Sequence, residues 1–126
     1  MSSLVRINTS NAAIRIVLPA PPSLNNSYAS RMDGRGRYAT PKLKQWKSDA
    51  GWMLKSTDKN RIVGKYRIAI SFADTMKGDI DNRIKACLDL LVENRVTPDD
   101  RFAWEIICRR SIDVKAGECI VEVSAL

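Results

Sequence analysis

The residues best able to do chemistry are acidic and close together: Asp79, Asp81, Asn82 and Lys85 in one short segment, then the pair Asp99-Asp100. Asp79 and Asp81 fall where a strand-terminated loop enters a helix, so their carboxylates can point into one small space. Asp81 and Lys85 are four apart, one turn along the same helical face. Asp100 begins the next predicted strand and returns to the mouth of the helix if that strand lies beside the preceding one. Hard oxygen ligands at converging element ends suit Mg²⁺, which keeps waters and recruits phosphate oxygens. Such a metal can polarise a phosphorus centre, orient a water nucleophile and stabilise a leaving oxygen. Lys85 can neutralise charge developing on a phosphate, or hold the carboxylates in place. The chain has no histidine. That removes Ser-His-Asp and Cys-His nucleophile systems and imidazole zinc sites, and makes metal-bound water the best available source of hydroxide near neutral pH. The residues alone leave a second reading open: a capping Asp81, an exposed Asp79, a surface Asp81–Lys85 pair worth about 0.3 kcal/mol, and an Asp-Asp turn after Pro98.

The charge distribution bears on the partner. Residues 1–67 hold 13 Lys/Arg against 3 Asp/Glu, whereas residues 68–126 hold 8 against 11. A basic half suits a polyanion, because each Lys or Arg set on a phosphate releases a condensed counterion. Within it, the loop from Arg31 to Tyr38 carries Arg31, Arg35 and Arg37, two glycines, and Tyr28 and Tyr38 at its flanks. It is cationic and able to stack, as a nucleic-acid contact loop must be; a solvated hairpin tip is the alternative.

The elements that must position these residues follow from periodicity. Residues 13–18 (AIRIVL) alternate as a strand that stops at Pro19-Ala-Pro21-Pro22. Thr40-Pro41 opens a helix whose apolar positions are Leu43, Trp46, Ala50, Met53 and Leu54. Residues 66–72 alternate as a strand. In the segment 78–101, Ile80, Ile84, Cys87, Leu88, Leu91 and Val92 form one helical face, capped by Asp81 or Asn82 and ending near Asn94. Residues 102–108 and 118–123 read as strands, with a turn at 115–117. The expectation is one α/β (α+β-like) domain over 1–126, a small mixed sheet with two main helices in the order β-α-β-α-β-β, and a loose leading segment over 1–12. With 44% hydrophobic residues it can bury a core. Cys87, Cys108 and Cys119, an odd number without CxxC spacing, suit reduced thiols. No apolar run is long enough to span a bilayer, and residues 1–12 lack a signal-peptide layout; a cytoplasmic protein without a membrane partner is expected.

The motif D-x-D-N-x-x-K, here Asp79-Ile80-Asp81-Asn82-Arg83-Ile84-Lys85, with Asp99-Asp100 beyond it, resembles the RusA family of Holliday junction resolvases. So does the opening, a strand followed by Leu18-Pro19-Ala20-Pro21-Pro22-Ser23 and Asn25-Asn26-Ser27-Tyr28. The likeness covers roughly residues 13–126. It implies a small homodimeric, Mg²⁺-dependent endonuclease (Mn²⁺ a substitute), often encoded by phages or prophages, that nicks two strands of a four-way DNA junction symmetrically in recombination and repair. It makes Asp79, Asp81 and Asp100 the metal-binding catalytic carboxylates and Lys85 the catalytic lysine, with Asn82 and Asp99 accessory. The family's basic surface corresponds loosely to Arg31, Arg35, Arg37, Lys42, Lys44 and Lys77.

A twofold dimer places two identical sites on two symmetric phosphates. Trp46, Trp52, Phe102 and Trp104 are candidates for its apolar contact, with core placement expected for at least half of them. Two other functions are compatible with the residues: a junction-binding protein without catalysis, and a metal-dependent phosphohydrolase acting on small phosphate esters. The basic first half argues against the latter.

Overall fold

Alternating apolar residues in the first strand all face one way. In the computed structural model, which describes residues 13–30, 34, 36–56 and 61–126, β1 (Ala13–Pro19) buries Ile14, Ile16 and Leu18 and exposes Ala13, Arg15 and Val17. It pairs antiparallel with β6 (Glu118–Ala125), which pairs antiparallel with β4 (Tyr66–Ala73), which pairs parallel with β5 (Ala103–Ser111). The sheet is therefore mixed, in the order β1-β6-β4-β5. β4 is flanked on both sides and reads accordingly. Tyr66, Ile68, Ile70 and Phe72 are fully buried on one face, and the small Ala69, Ser71 and Ala73 occupy the other.

Two helices cover the first of these faces. α2 (Pro41–Lys55) starts as expected: Thr40 Oγ1 accepts the Leu43 N–H at 3.3 Å, and Pro41 takes the first helical position. It buries Leu43, Trp46, Ala50 and Leu54. α3 (Ile84–Glu93) buries Cys87, Leu88, Leu90 and Leu91. Asn94 ends it, donating Nδ2 to Leu90 O at 2.8 Å. These helical faces and the inward residues of β1, β4 and β6 form one core, each large side chain contributing about 1.5–3 kcal/mol by its removal from water. Among the described residues the opposite sheet face is uncovered. Arg15, Arg67, Arg109 and Glu122 line an open groove there, with Ala69 and Ile107 beside them.

The mixed sheet and two main helices match the expectation, but the element order is richer. A four-residue helix, α1 (Leu24–Ser27), and a short hairpin of β2 (Tyr28–Ser30) and β3 (Arg37–Ala39) lie between β1 and α2. Three-residue strands are too short for alternation to show. Fixed partners hold this stretch instead: Thr40 N–H donates to Ser27 O at 2.9 Å and Thr40 Oγ1 to Asn26 O at 2.7 Å. The expected leading segment 1–12 lies outside the described residues. Of the four large aromatics, Trp46 is buried and Phe102 packs against the core, while Trp52 is 74% and Trp104 61% exposed. Among the described residues no helix is long and apolar enough to cross a membrane.

Candidate active site

The acidic motif sits between the end of β4 and the start of α3. After Ala73 the chain turns through Gly78, whose φ of +87° is one that L side chains rarely adopt, and delivers an exposed Asp79. The 3₁₀ turn Ile80–Arg83 follows and runs directly into α3. Asp81 and Asn82 do not cap the helix, contrary to the expectation from sequence. The tight winding satisfies the first N–H groups with main-chain carbonyls, Asn82 N–H on Asp79 O and Ile84 N–H on Asp81 O. The Asp79 and Asp81 carboxylates thus remain exposed and, among the described residues, make no hydrogen bond or ion pair.

The loop ahead of them is tied down by two arginines. Arg110, on β5, donates Nη1 to Met76 O and Nη2 to Gly78 O. Arg83 donates Nη1 to Pro21 O and Nη2 to Lys77 O, the latter at 3.1 Å. The Cys108 thiol, also on β5, donates to Ile80 O at 3.8 Å. Burial pushes that thiol's pKa up, and the Asp81 carboxylate adds to the effect.

The parallel pairing of β5 with β4 sets Ala103 beside Tyr66, so Asp100 does not return to the mouth of α3 as expected but lies toward the other end of β4, in a cleft with Asp89, Val92 and Glu93. Asp100 opens the 3₁₀ turn Asp100–Phe102, and its Oδ2 lies 3.9 Å from Lys85 Nζ. Lys85 Nζ also donates to Asp89 Oδ1 at 3.2 Å, one turn further along α3. The Asp89 contact, with help from Asp100 and against mild burial, holds the Lys85 ammonium above the ordinary lysine pKa. Asp99 serves the backbone, its carboxylate accepting the Arg101 N–H at 3.0 Å and capping the turn. That bond, followed by contact with Asp100, holds Asp99 below the usual carboxylate range.

Beneath this turn, Tyr66 OH and Thr97 Oγ1 are buried and, among the described residues, without a hydrogen-bond partner. Burial pushes the Tyr66 pKa up, and Asp100 and Asp99 add to the rise. The Thr97 hydroxyl lies close enough to oppose it, but the pair falls short of hydrogen-bond geometry.

The two acidic turns thus lie toward opposite ends of β4, linked by α3, and the carboxylates do not cluster. Among the described residues no three acidic or cysteine side chains are gathered closely enough to hold a metal. This corrects the expectation that Asp79, Asp81 and Asp100 meet at one point: Asp100 is engaged with Lys85, and Asp79 and Asp81 point into solvent. The donor set still fits Mg²⁺ in kind, since exposed, unpartnered carboxylates are hard oxygen ligands. That ion is commonly held by one or two carboxylates with waters and substrate phosphates completing its shell.

Three contributors went unread in the sequence. Asp89 is signalled only by its i+4 spacing from Lys85. Arg83 and Arg110 carry no spacing signal, since their partners are backbone carbonyls set by the fold. Asn82 is half-buried and lines a small cleft with Ser27, Tyr28, Lys47, Lys85 and Asp89, so the β2–β3 hairpin and α2 border the Lys85 side of the site. Of the basic residues proposed for DNA, Arg31 and Arg35 lie outside the described residues. Arg37 is on β3, its guanidinium 5.6 Å from the Tyr28 ring centroid. Lys42 and Lys44 are exposed in the first turn of α2, and Lys77 is exposed beside Asp79.

Residues 19–124 match the family described as Endodeoxyribonuclease RusA. The chain is also 28% identical over 116 residues to the crossover junction endodeoxyribonuclease rusA of Enterobacteria phage HK97, an alignment covering 89% of this chain and 94% of the phage protein. The matched span takes in β2 to β5, both 3₁₀ turns and most of β6, every element that positions Asp79, Asp81, Lys85 and Asp100. The chain belongs to the RusA endodeoxyribonuclease family.

Proposed function

We propose that this protein is a structure-selective DNA endonuclease that resolves four-way junctions by paired, symmetric hydrolysis of phosphodiester bonds, using Mg²⁺ (or Mn²⁺) and acting as a homodimer in recombination and repair. Family membership supports the activity. One observation supports the location: among the described residues Asp79 and Asp81 stand exposed without side-chain partners at the turn into α3, the helix that carries Lys85. In this reading Asp79 and Asp81 would hold the metal, which when bound would activate water and stabilise charge at phosphorus, and Asp100 acts through its contact with Lys85.

The chain's own residues do the rest. Lys85, kept cationic by Asp89, presents a positive charge to a phosphate and balances the carboxylates. Asp99 keeps the Asp100 turn wound. Lys77, Arg37, Lys42 and Lys44 supply exposed positive charge along the approach. On β5, exposed Trp104, Ile106 and Ile107 offer apolar surface to a second copy.

The test is cleavage of a mobile four-way junction by wild type and Asp100→Asn, with and without Mg²⁺. Wild type should cut only with the metal, and the variant should bind without cutting. Wild type that binds and never cuts would make the protein a junction-binding module. Turnover of nucleotides with the junction left intact would make it a small-ester phosphohydrolase.

A further inference from the structure

We infer that Arg110 and Arg83 are positioning residues that fix the 76–79 turn and with it the place of the Asp79 carboxylate; this rests on Asp79 belonging to the cutting site. Three successive carbonyls ahead of Asp79 accept from a guanidinium: Met76 O and Gly78 O from Arg110, Lys77 O from Arg83. The donors come from different parts of the chain, β5 and the turn leading into α3. The loop is therefore referenced both to the strand that follows Asp100 and to the helix that carries Lys85. Arg83 also reaches Pro21 O, tying the proline-rich segment after β1 to the same loop.

The chemistry asks for arginine. A planar fork with donors in a fixed geometry can span two carbonyls at once, whereas an ammonium is a single point. The turn needs such ties, because Gly78 at positive φ leaves its backbone intrinsically permissive. Arg83 is held there although its buried Nε has no partner among the described residues, so its two carbonyl bonds outweigh an unsatisfied donor. A guanidinium occupied by main-chain carbonyls is also poorly placed to serve mainly as a phosphate contact.

The experiment compares wild type with Arg110→Lys and Arg83→Lys, which keep the charge and lose the fork, and with Arg109→Ala, which removes a neighbouring charge without touching the loop. In the full-length protein free of DNA, amide hydrogen exchange over 77–82 should quicken roughly tenfold in both lysine variants and stay unchanged in Arg109→Ala, with melting temperatures close to wild type. On a four-way junction, single-turnover cleavage should fall about 10²-fold with junction affinity unchanged. More Mg²⁺ should be needed for half-maximal rate. Wild-type exchange and cleavage in the lysine variants would overturn the inference. So would lost junction affinity with normal cleavage of bound DNA, which would make these arginines DNA contacts. If wild type itself does not cut, the proposed function falls and the exchange measurement still decides the positioning role.

Discussion

Lys85 Nζ lies 3.9 Å from Asp100 Oδ2, a contact between the first turn of α3 and the turn that starts β5. β5 runs parallel to β4, so the chain crosses through α3 to the Tyr66 end of the sheet, and Lys85 reaches past Asp89 along that helix to Asp100. A lysine between Asp89 and Asp100 is a counter-charge built into an acidic site.

This arrangement predicts how Lys85 titrates. Its folded pKa is raised, so the stabilisation from its contacts is fully present below about pH 10.5, its ordinary value, and is lost as pH rises through the folded value. Because Lys85 is largely exposed, the energy is small, about 0.3–0.5 kcal/mol for an i,i+4 pair. The direct observable is the Lys85 side-chain NMR resonance. Asp89→Asn should bring its midpoint down towards the ordinary lysine value. Asp100→Asn should do so by less, and an unmoved midpoint in Asp89→Asn would contradict the assigned cause.

Mg²⁺ should raise the melting temperature by more than NaCl of equal ionic strength. A ligand bound only by the folded state stabilises it by about 2.7 kcal/mol at a hundredfold excess over Kd. General screening acts equally through both salts. The difference should vanish in an Asp79→Asn, Asp81→Asn double variant.

Tyr66→Phe should leave stability unchanged or slightly higher. The hydroxyl is buried without a partner among the described residues, and an unsatisfied buried polar group costs about 1–3 kcal/mol. Urea unfolding of the two proteins decides this. A loss above about 1 kcal/mol would mean that the hydroxyl finds a bond to Thr97 or to water.

Gly78→Ala should separate backbone strain from crowding. A Cβ there would meet nothing closer than Arg83 Nη2 at 3.9 Å, an ordinary contact, so the cost comes from the φ of +87°. The expected loss is about 1–2 kcal/mol of stability, with a fall in junction cleavage as Asp79 shifts. Wild-type stability would show that the turn adopts another conformation at no cost.

Much of the frame was legible in the sequence because its elements are periodic and punctuated. Residues 13–18 and 66–72 alternate cleanly, Thr40-Pro41 marks the start of a helix, and Asn94 marks the end of one. Residues 102–108 were legible as a strand, but not its parallel direction beside β4, which sets Asp100 toward the Tyr66 end and away from the mouth of α3. What stayed hidden has local or long-range causes. The β2–β3 hairpin is three residues deep, too short to show a period. The 3₁₀ turn at Ile80–Arg83 reads as helix, because main-chain bonds rather than side-chain caps shape it. Arg83 and Arg110 serve carbonyls whose positions only the folded chain defines. The separation of the three carboxylates is a matter of side-chain partners, and the D-x-D spacing carries no information about Lys85 engaging Asp100.

The antiparallel pairing of β1 with β6, with Ala13 opposite Ser124, has a consequence for biosynthesis. β1 must wait for β6, so on the ribosome the sheet stays open along β1 while α2, β4 and α3 emerge. Loop closure over nearly the whole chain makes assembly slow relative to local helix formation. During that interval the apolar stripe Ile14, Ile16 and Leu18 is available to chaperones or to a neighbouring nascent chain. Joining the two ends and reopening the chain elsewhere would convert this late step into an early one.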